Sequence, residues 1–317
     1  VWRQHARSTD VGAAWAALVA AGVGVHVRGD AGYPPALTSD HEAPGVVFSR
    51  GDVAAIDGRR VAIVGSRDCT RYGREIAFSL GRDLAAAGVG VVSGLALGVD
   101  GAAHAGALKA AGAPAVAVVG SGLDVVYPRR NAHLWRDVAA TGVVLSEAPL
   151  GAAPEPWRFP VRNRIIAALA EVVVVVESRH RGGSRHTVEA AMARDRPVLA
   201  VPGPVRSPAS ELPNALLAEG CHPARDVVDV LVALNLATPV RASGPAVGAD
   251  PRPPPDAAGQ GVLDALGWQP ATFEQLVVAT GRAPGEVGVA LAHLERDGWV
   301  VGSGGWWERG GEALPTG

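Results

Sequence analysis

The amino-acid sequence predicts an α/β fold: a doubly wound, mostly parallel sheet, with a short N-terminal helical segment before it and a C-terminal winged-helix domain after it. Two observations carry this. From Arg59 to about Ala237, valine-rich apolar runs of four or five residues alternate with amphipathic stretches of helical period. Short runs without polar alternation are what strands buried on both faces require. Beyond a proline-rich stretch, three short helical patterns precede Trp299-Val300-Val301, a Gly302-Ser303-Gly304-Gly305 turn and Trp306-Trp307, the pattern of a β-hairpin.

Taken in order, residues 1–57 read as a helical and loop segment, with Ala13–Ala21 helical and a loop around Tyr33-Pro34-Pro35. The expected strands of the central domain, 58–237, are Val61–Val64, Val89–Val92, Ala115–Val119, Val143–Leu145, Val172–Val176 and Val198–Val201. Helices at Tyr72–Ala87, Gly98–Ala111, Asn131–Thr141, Arg162–Ala170 and Ser184–Arg194 separate them. Strand–helix–strand alternation implies crossover connections and a doubly wound sheet. Residues 238–257 form a Pro/Gly-rich linker ending in Pro-Arg-Pro-Pro-Pro, expected to be extended and semi-rigid. The winged helix, 258–312, holds helices at Gln260–Leu266, Thr272–Thr280 and Pro284–Asp297; Val287, Leu291 and Leu294 give the last an apolar stripe.

Composition excludes several classes. The 317 residues are 48% hydrophobic with a net charge of −2, so any nucleic-acid site is a local patch on a near-neutral body. Lys109 is the single lysine, which leaves almost all positive charge to arginine, a bias that GC-rich coding explains. Cys69 and Cys221 lack the spacing of a zinc site and fit a reducing cytoplasm. The opening Val-Trp-Arg-Gln-His is neither a secretory signal nor a targeting peptide, and Val1 suggests an alternative start codon or a trimmed N-terminus. The apolar runs are far too short to span a bilayer. The expectation is a cytoplasmic protein without membrane partners, metal or cofactor.

Chemistry-bearing motifs gather where strands end. The first strand runs into Gly65-Ser66-Arg67: a backbone that admits close approach, a hydroxyl and a guanidinium fork. The second runs into Ser93-Gly94 and on to Gly98, Asp100 and His104, with the two glycines suited to a turn whose amides face an anion. Asp100 and His104 lie four apart on one helical face, as an acid–base pair, half a metal site, or a capping aspartate bonded to a histidine. The third strand meets Gly120-Ser121-Gly122-Leu123-Asp124, then Tyr127-Pro128-Arg129-Arg130-Asn131. Val125 replaces the last glycine of a dinucleotide fingerprint, and the motif follows the third strand instead of the first, so a nicotinamide site is a poor reading. Asn131 is the expected N-cap of the next helix. After the fourth strand come Ser146-Glu147 and then Phe159-Pro160-Val161-Arg162-Asn163-Arg164, a Phe-Pro turn delivering two arginines and an asparagine to a helix start. After the fifth come Glu177 and then Gly182, Gly183, Ser184 and Thr187, a second anion cradle at a helix N-terminus.

Arg67, Arg129, Arg130, Arg162 and Arg164 all follow strand ends, which in a parallel sheet share one rim. Acidic residues there are fewer, chiefly Asp124, Glu147 and Glu177. Such a rim fits a polyanion whose affinity falls steeply with salt. Tyr127 and Phe159 are placed to stack on exposed bases, and no element offers an evident groove-reading helix, so single-stranded nucleic acid fits better than duplex.

As an ordered series, Gly65-Ser66-Arg67, Ser93-Gly94 to His104, Gly120-x-Gly122-x-Asp124 with Tyr127-Pro128 and Asn131, Ser146-Glu147, Phe159-Pro160-x-Arg162-Asn163-Arg164 and Val201-Pro202-Gly203 resembles the DprA family, also called Smf, over roughly residues 30–235. The tail is similar to the winged helix some members carry. The resemblance implies an extended Rossmann fold and a homodimer. It also implies a non-enzymatic role: binding single-stranded DNA, protecting it during natural transformation and loading the RecA recombinase. It places Gly65, Ser66, Arg67, Arg162, Asn163 and Arg164 in the DNA pocket, with Arg129 and Arg130 beside it. Two departures stand out. Gly182-Gly183-Ser184-Arg185-His186-Thr187 replaces a Ser-Gly-Ser-Leu-x-Thr pattern, and Ser210-Glu211-Leu212-Pro213-Asn214 lacks the glycine of Ser-x-Gly-x-Asn. The first departure is loosely similar to Rossmann proteins that resemble lysine decarboxylases and cleave nucleoside monophosphates, with Thr187-Val188-Glu189 supplying the carboxylate for N-glycosidic hydrolysis. A third alternative, the winged helix as a transcription regulator, meets a third helix carrying Glu286 and Glu295 against His293 and Arg296, which is not basic enough for a major-groove reader.

Overall fold

The computed structural model describes residues 10–110, 112–236, 252–267 and 270–310. The chain divides into two compact units, Val1–Pro239 and Val240–Gly317. The first is built on nine strands: β1 (Gly24–Val27), β2 (Val46–Gly51), β3 (Arg60–Val64), β4 (Gly90–Ser93), β5 (Val116–Val119), β6 (Val143–Ser146), β7 (Val172–Val175), β8 (Val198–Ala200) and β9 (His222–Pro223). Their order is β1-β2-β6-β5-β4-β3-β7-β8-β9. Pairing is parallel from β6 to β9 and antiparallel only at β1–β2 and β2–β6.

The valine runs form these parallel strands because both faces are covered. Val61 and Ile63 of β3 pack on one side, with helices Arg71–Ala86, Val99–Lys109 and Ala132–Thr141. Ala62 and Val64 pack on the other, with helices Arg158–Leu169, Ser184–Met192 and Glu211–Ala218. Successive strand residues face opposite ways, so a run of consecutive apolar residues is what such a sheet needs.

The N-terminal stretch holds its expected helix, Val11–Ala20, and more. Residues read as loop supply β1 and β2; burial alternates along β2, whereas β1, at the sheet edge, is nowhere fully buried. Alternation over four to six residues beside Gly and Pro is a weak signal in the sequence. Tyr33 Oη donates to the Pro44 carbonyl at 2.7 Å within this stretch, and Arg194, just after helix Ser184–Met192, binds Asp40 at 2.6 Å and Glu42 at 2.9 Å, tying it to the helical layer.

Helix Arg158–Leu169 corrects a second expectation. Phe159 and Pro160 do not form a turn ahead of it; they lie in its first turn. Proline is tolerated there because the first N–H groups of a helix have no acceptor within it. The topology also fixes where a ligand belongs. From β3 the chain steps outward through β4, β5 and β6, whereas β7, β8 and β9 continue on the opposite side. The carboxyl ends of β3 and β7 therefore flank the switch point of the sheet, where open α/β sheets place their crevice.

The second unit contains helices Ala257–Leu266, Phe273–Thr280 and Pro284–Arg296 with strands β10 (Ala271–Thr272), β11 (Val300–Ser303) and β12 (Trp306–Arg309), ordered β10-β12-β11. Its core joins Val262, Leu266, Leu276, Val287, Leu291 and Leu294. Most of the stretch expected as linker, 238–251, lies outside the described residues, as do 268, 269, 311 and 312 of the expected winged helix. Its proline-rich end belongs to this unit: Arg252 stacks on Trp299 at 3.9 Å, and Trp299 Nε1 donates to Pro253 O at 2.9 Å.

The Arg194 and Asp40 side chains are only 5% and 8% exposed. Burial alone would raise the Asp40 carboxyl, but hydrogen bonds from Arg194 and the Glu42 backbone outweigh it and hold the group below its ordinary 3.8. The stabilisation is thus present above the unfolded pKa and lost as pH falls through the lowered folded one. Arg194→Ala leaves a buried carboxylate unpaired and is expected to cost about 3 kcal/mol at neutral pH. Urea unfolding at pH 7 measures it, and the deficit should shrink toward pH 3.

Candidate nucleic-acid interface

At the switch point lies a cleft of about 360 Å³. The end of β3 gives it Gly65, Ser66 and Arg67; the first turns of helix Arg158–Leu169 give Phe159, Arg162 and Asn163; the loop after β7 gives Gly183, and the start of helix Ser184–Met192 gives Ser184 and Thr187. Arg179 and Arg181 also line it, and Asp100 is its one acidic lining residue. A backbone bond from Ser66 N to Glu177 O at 2.6 Å joins the β3 and β7 ends, and one from Val99 N to Ser66 O at 3.2 Å ties the β3 end to the start of helix Val99–Lys109. Asn163 Nδ2 donates to Gly183 O at 3.2 Å, joining the arginine-bearing helix to the glycine pair.

Arg162 forms the floor. It is 7% exposed, Nη1 donates to Val118 O, and its guanidinium lies where a Cβ at Gly94 would be. Glycine at 94 is therefore needed for close packing of the cation. The Gly94 amide is also spoken for, donating to Asp100 Oδ2 at 3.2 Å, so the turn does not offer the anion cradle expected of it. Burial lowers the Arg162 pKa to about 10, partly offset by Asp100, and the group stays charged at neutral pH. Burial raises the Asp100 carboxyl, with Arg162 opposing.

Above this floor Arg67 lies over the Phe159 ring at 4.5 Å, and Tyr127 meets the same ring at 5.7 Å and 39°. Phe159 separates the main cleft from a niche of about 40 Å³ that Tyr127, Pro128, Leu97 and Gly94 line with Arg67 and Arg162. Arg67 and Tyr127 are exposed, so cation, ring and ring form a surface over a buried charge. Aromatic faces suit unstacked bases, and guanidinium groups suit phosphates.

The chain matches the DNA recombination-mediator protein A family over residues 24–235 and the DprA winged helix domain over 247–305. The chain belongs to this family. It is 37% identical over 208 residues to Bacillus subtilis DNA processing protein DprA, an alignment covering 64% of this chain and 70% of that protein. It is 41% identical over 189 residues to Escherichia coli protein Smf, covering 59% of this chain but only half of Smf. The solved structure of DNA processing protein A from Streptococcus pneumoniae superposes with a TM-score of 0.62 at 35% identity, over 68% of this chain and 77% of the other. That of the Helicobacter pylori protein, solved for its single-stranded DNA binding mode, gives 0.61 at 27% identity, over 67% and 95%.

Not every expected residue of this DprA-family chain reaches the cleft. Arg164 lies outside it: Nη2 binds both Glu147 carboxylate oxygens at 2.8 Å beside a different cavity. Arg129 and Arg130 are exposed on a short turn after Pro128 and line neither the cleft nor the niche. Asn131 does not cap its helix through its side chain. It is buried, and Nδ2 donates to Leu95 O at 3.0 Å and Ala96 O at 2.9 Å, stapling the Gly94 turn. A Cβ at Gly122 would strike the Pro149 carbonyl, and Asp124 accepts from Gly151 N at 2.8 Å, so this motif braces a loop. Glu177 is consumed by Thr70, whose N and Oγ1 donate to it at 2.8 and 2.7 Å at the start of helix Arg71–Ala86. Glu189 is exposed and pairs with Arg185 at 3.0 Å, outside the cleft lining. In the altered loops, Asn214 brackets Gly203 with bonds of 3.2 and 3.0 Å. Arg179 and Arg181 were missed, although they too follow a strand end.

His104 is fully buried and does not bond Asp100, whose carboxylate faces Gly94. Burial lowers its pKa from 6.5 to about 4, so it is neutral in the native protein at pH 7. Between those values the unfolded chain binds a proton the native one refuses, so stability falls as pH drops from about 6.5 toward 4. The loss should approach about 3 kcal/mol. Comparing the unfolding free energy of wild type and His104→Gln at pH 7.5 and 4.5 checks it: the variant's pH dependence should be flatter.

Proposed function

We propose that this chain binds single-stranded DNA at the switch-point cleft, protects incoming strands, and loads the RecA recombinase as a cytoplasmic, non-enzymatic homodimer. The observation that carries the binding role is the Tyr127–Phe159–Arg67 stack above the buried charge of Arg162. A cleft of about 360 Å³ admits a nucleotide unit and excludes a duplex, whose bases cannot leave the stack without being unpaired. Membership of the recombination-mediator family and likeness to a structure solved for single-stranded DNA binding support the same reading. Among the described residues no helix is long and apolar enough to cross a membrane.

In this reading Arg67 grips phosphate from the open side while Arg162 supplies a fixed positive floor. Gly183 and Ser184 present helix N-terminal amides, with Thr187 behind them, and a base rests on Phe159 or Tyr127. Recombinase loading then requires only that the strand be held in a form a filament nucleus can take over. Light scattering of the free protein tests the dimer, and recombinase ATP hydrolysis with and without the chain tests loading.

Arg67→Ala is expected to weaken binding of oligo-dT about tenfold and to lower the slope of log affinity against log salt by about 0.7. Phe159→Ala is expected to lose about five- to fiftyfold through lost stacking. Fluorescence anisotropy at several salt concentrations measures both, with a duplex of equal length as reference. Unchanged binding in both variants would exclude the cleft as the site.

A further inference from the structure

A second cavity, of about 280 Å³, lies beside the first turns of the same helix, Arg158–Leu169. Its walls are the ends of β5 and β6 at Gly120 and Glu147, and Trp157, Arg158, Arg162 and Arg164 from the helix start. Arg162 lines both cavities. Three guanidinium nitrogens here, Arg158 Nε, Arg162 Nε and Arg164 Nη1, are buried and have no hydrogen-bond acceptor. Arg164 already saturates Glu147 through its other nitrogen, and Arg158 sees Glu155 only at 3.7 Å. Buried donors without acceptors are costly, and an anionic oxygen is the partner that satisfies several at once.

At the mouth stands Trp157, 56% exposed. The Arg158 guanidinium lies over its ring at 4.5 Å, and its indole N–H donates to Glu155. The ring is thus held in place while more than half of its surface is open to solvent. A fixed aromatic plane beside unpaired cations repeats, on the other side of Arg162, the arrangement of Phe159 and Arg67.

We propose that this cavity is a second nucleotide subsite, taking the phosphate of a neighbouring unit of the strand on Arg158 and Arg164 and its base on Trp157. The inference rests on single-strand binding at the first cleft. Arg162, common to both walls, sets the direction: the strand passes across the start of helix Arg158–Leu169, from the β3–β7 crevice toward the ends of β5 and β6.

Affinity for oligo-dT of about four and about twelve nucleotides separates the two sites, since the shorter one fills the first cleft alone. Trp157→Ala should weaken the longer ligand about five- to tenfold and leave the shorter one unchanged, with Trp157→Phe restoring most of the loss. Arg158→Gln should lower the salt slope for the longer ligand by about 0.7. Because Trp157 is exposed, folding is expected to be intact, and thermal unfolding checks it. Arg67→Ala must weaken both lengths. If it does and Trp157→Ala changes neither, or changes both equally, the second subsite is wrong while the first cleft stands. If Arg67→Ala changes neither, the binding reading fails and the subsite with it.

Discussion

The buried guanidinium of Arg162 is the constraint around which the rest of the site is arranged. Removing a charge from water is expensive unless dipoles and counter-charges replace its hydration. Here the Val118 carbonyl, at the end of β5, accepts one N–H, Asp100 supplies a nearby negative group, and the Gly94 turn packs directly against the cation. The supports come from the ends of β4 and β5, and the Gly94 turn is itself held by Asn131. The outcome is a cation with no freedom to lose when a ligand arrives. A lysine or arginine at the surface must surrender rotamer entropy to hold a phosphate; this one has already done so in folding. Its field reaches every cavity it lines, which is why Arg67 above it and the arginines beside it act as parts of one electropositive region and not as separate contacts.

How far this was legible in the sequence follows from strand order and helix geometry. The valine runs announced the parallel strands because a sheet covered on both faces needs no polar alternation. The half-covered edge pair β1–β2 spoke only through a short alternation next to glycine and proline. The rule that loops after parallel strands share a rim was right as far as it goes, but a rim has length. β3 and β7 are neighbours, with Val64 opposite Val175, although more than a hundred residues separate them in the chain. The loop after β5 is two strands away from β3, which leaves Arg129 and Arg130 outside the cleft. Arg162 and Arg164 sit two apart on one helix, about 200° around its axis, so Arg162 reaches the switch-point cleft while Arg164 turns toward Glu147. Strand order and helix phase are long-range and angular facts, and motif spacing carries neither.

Charge at the rim was also misjudged in a consistent direction. Glu177, Glu147 and Asp124 counted as acids opposing an anion, yet each is occupied: at a helix N-terminus, by Arg164, and by the Gly151 amide. The carboxylates therefore order the loops that present the arginines, and the cleft is more positive than a tally of residues suggests. The same placements bear on whether a bound nucleotide is held or cleaved. Hydrolysis of a glycosidic bond needs an ionisable carboxyl group within reach of the scissile atoms. Glu189, the carboxylate that the glycosidase pattern would supply, faces solvent with Arg185. Asp100 is the acid that the cleft does contain, and it is turned into the fold to accept from Gly94. Freeing it would leave Arg162 without its nearest negative partner and the Gly94 amide without an acceptor, so the feature that makes the floor a good anion clamp is the one that withholds the acid from chemistry. For the strand proposed to lie in this cleft, the geometry favours retention over attack.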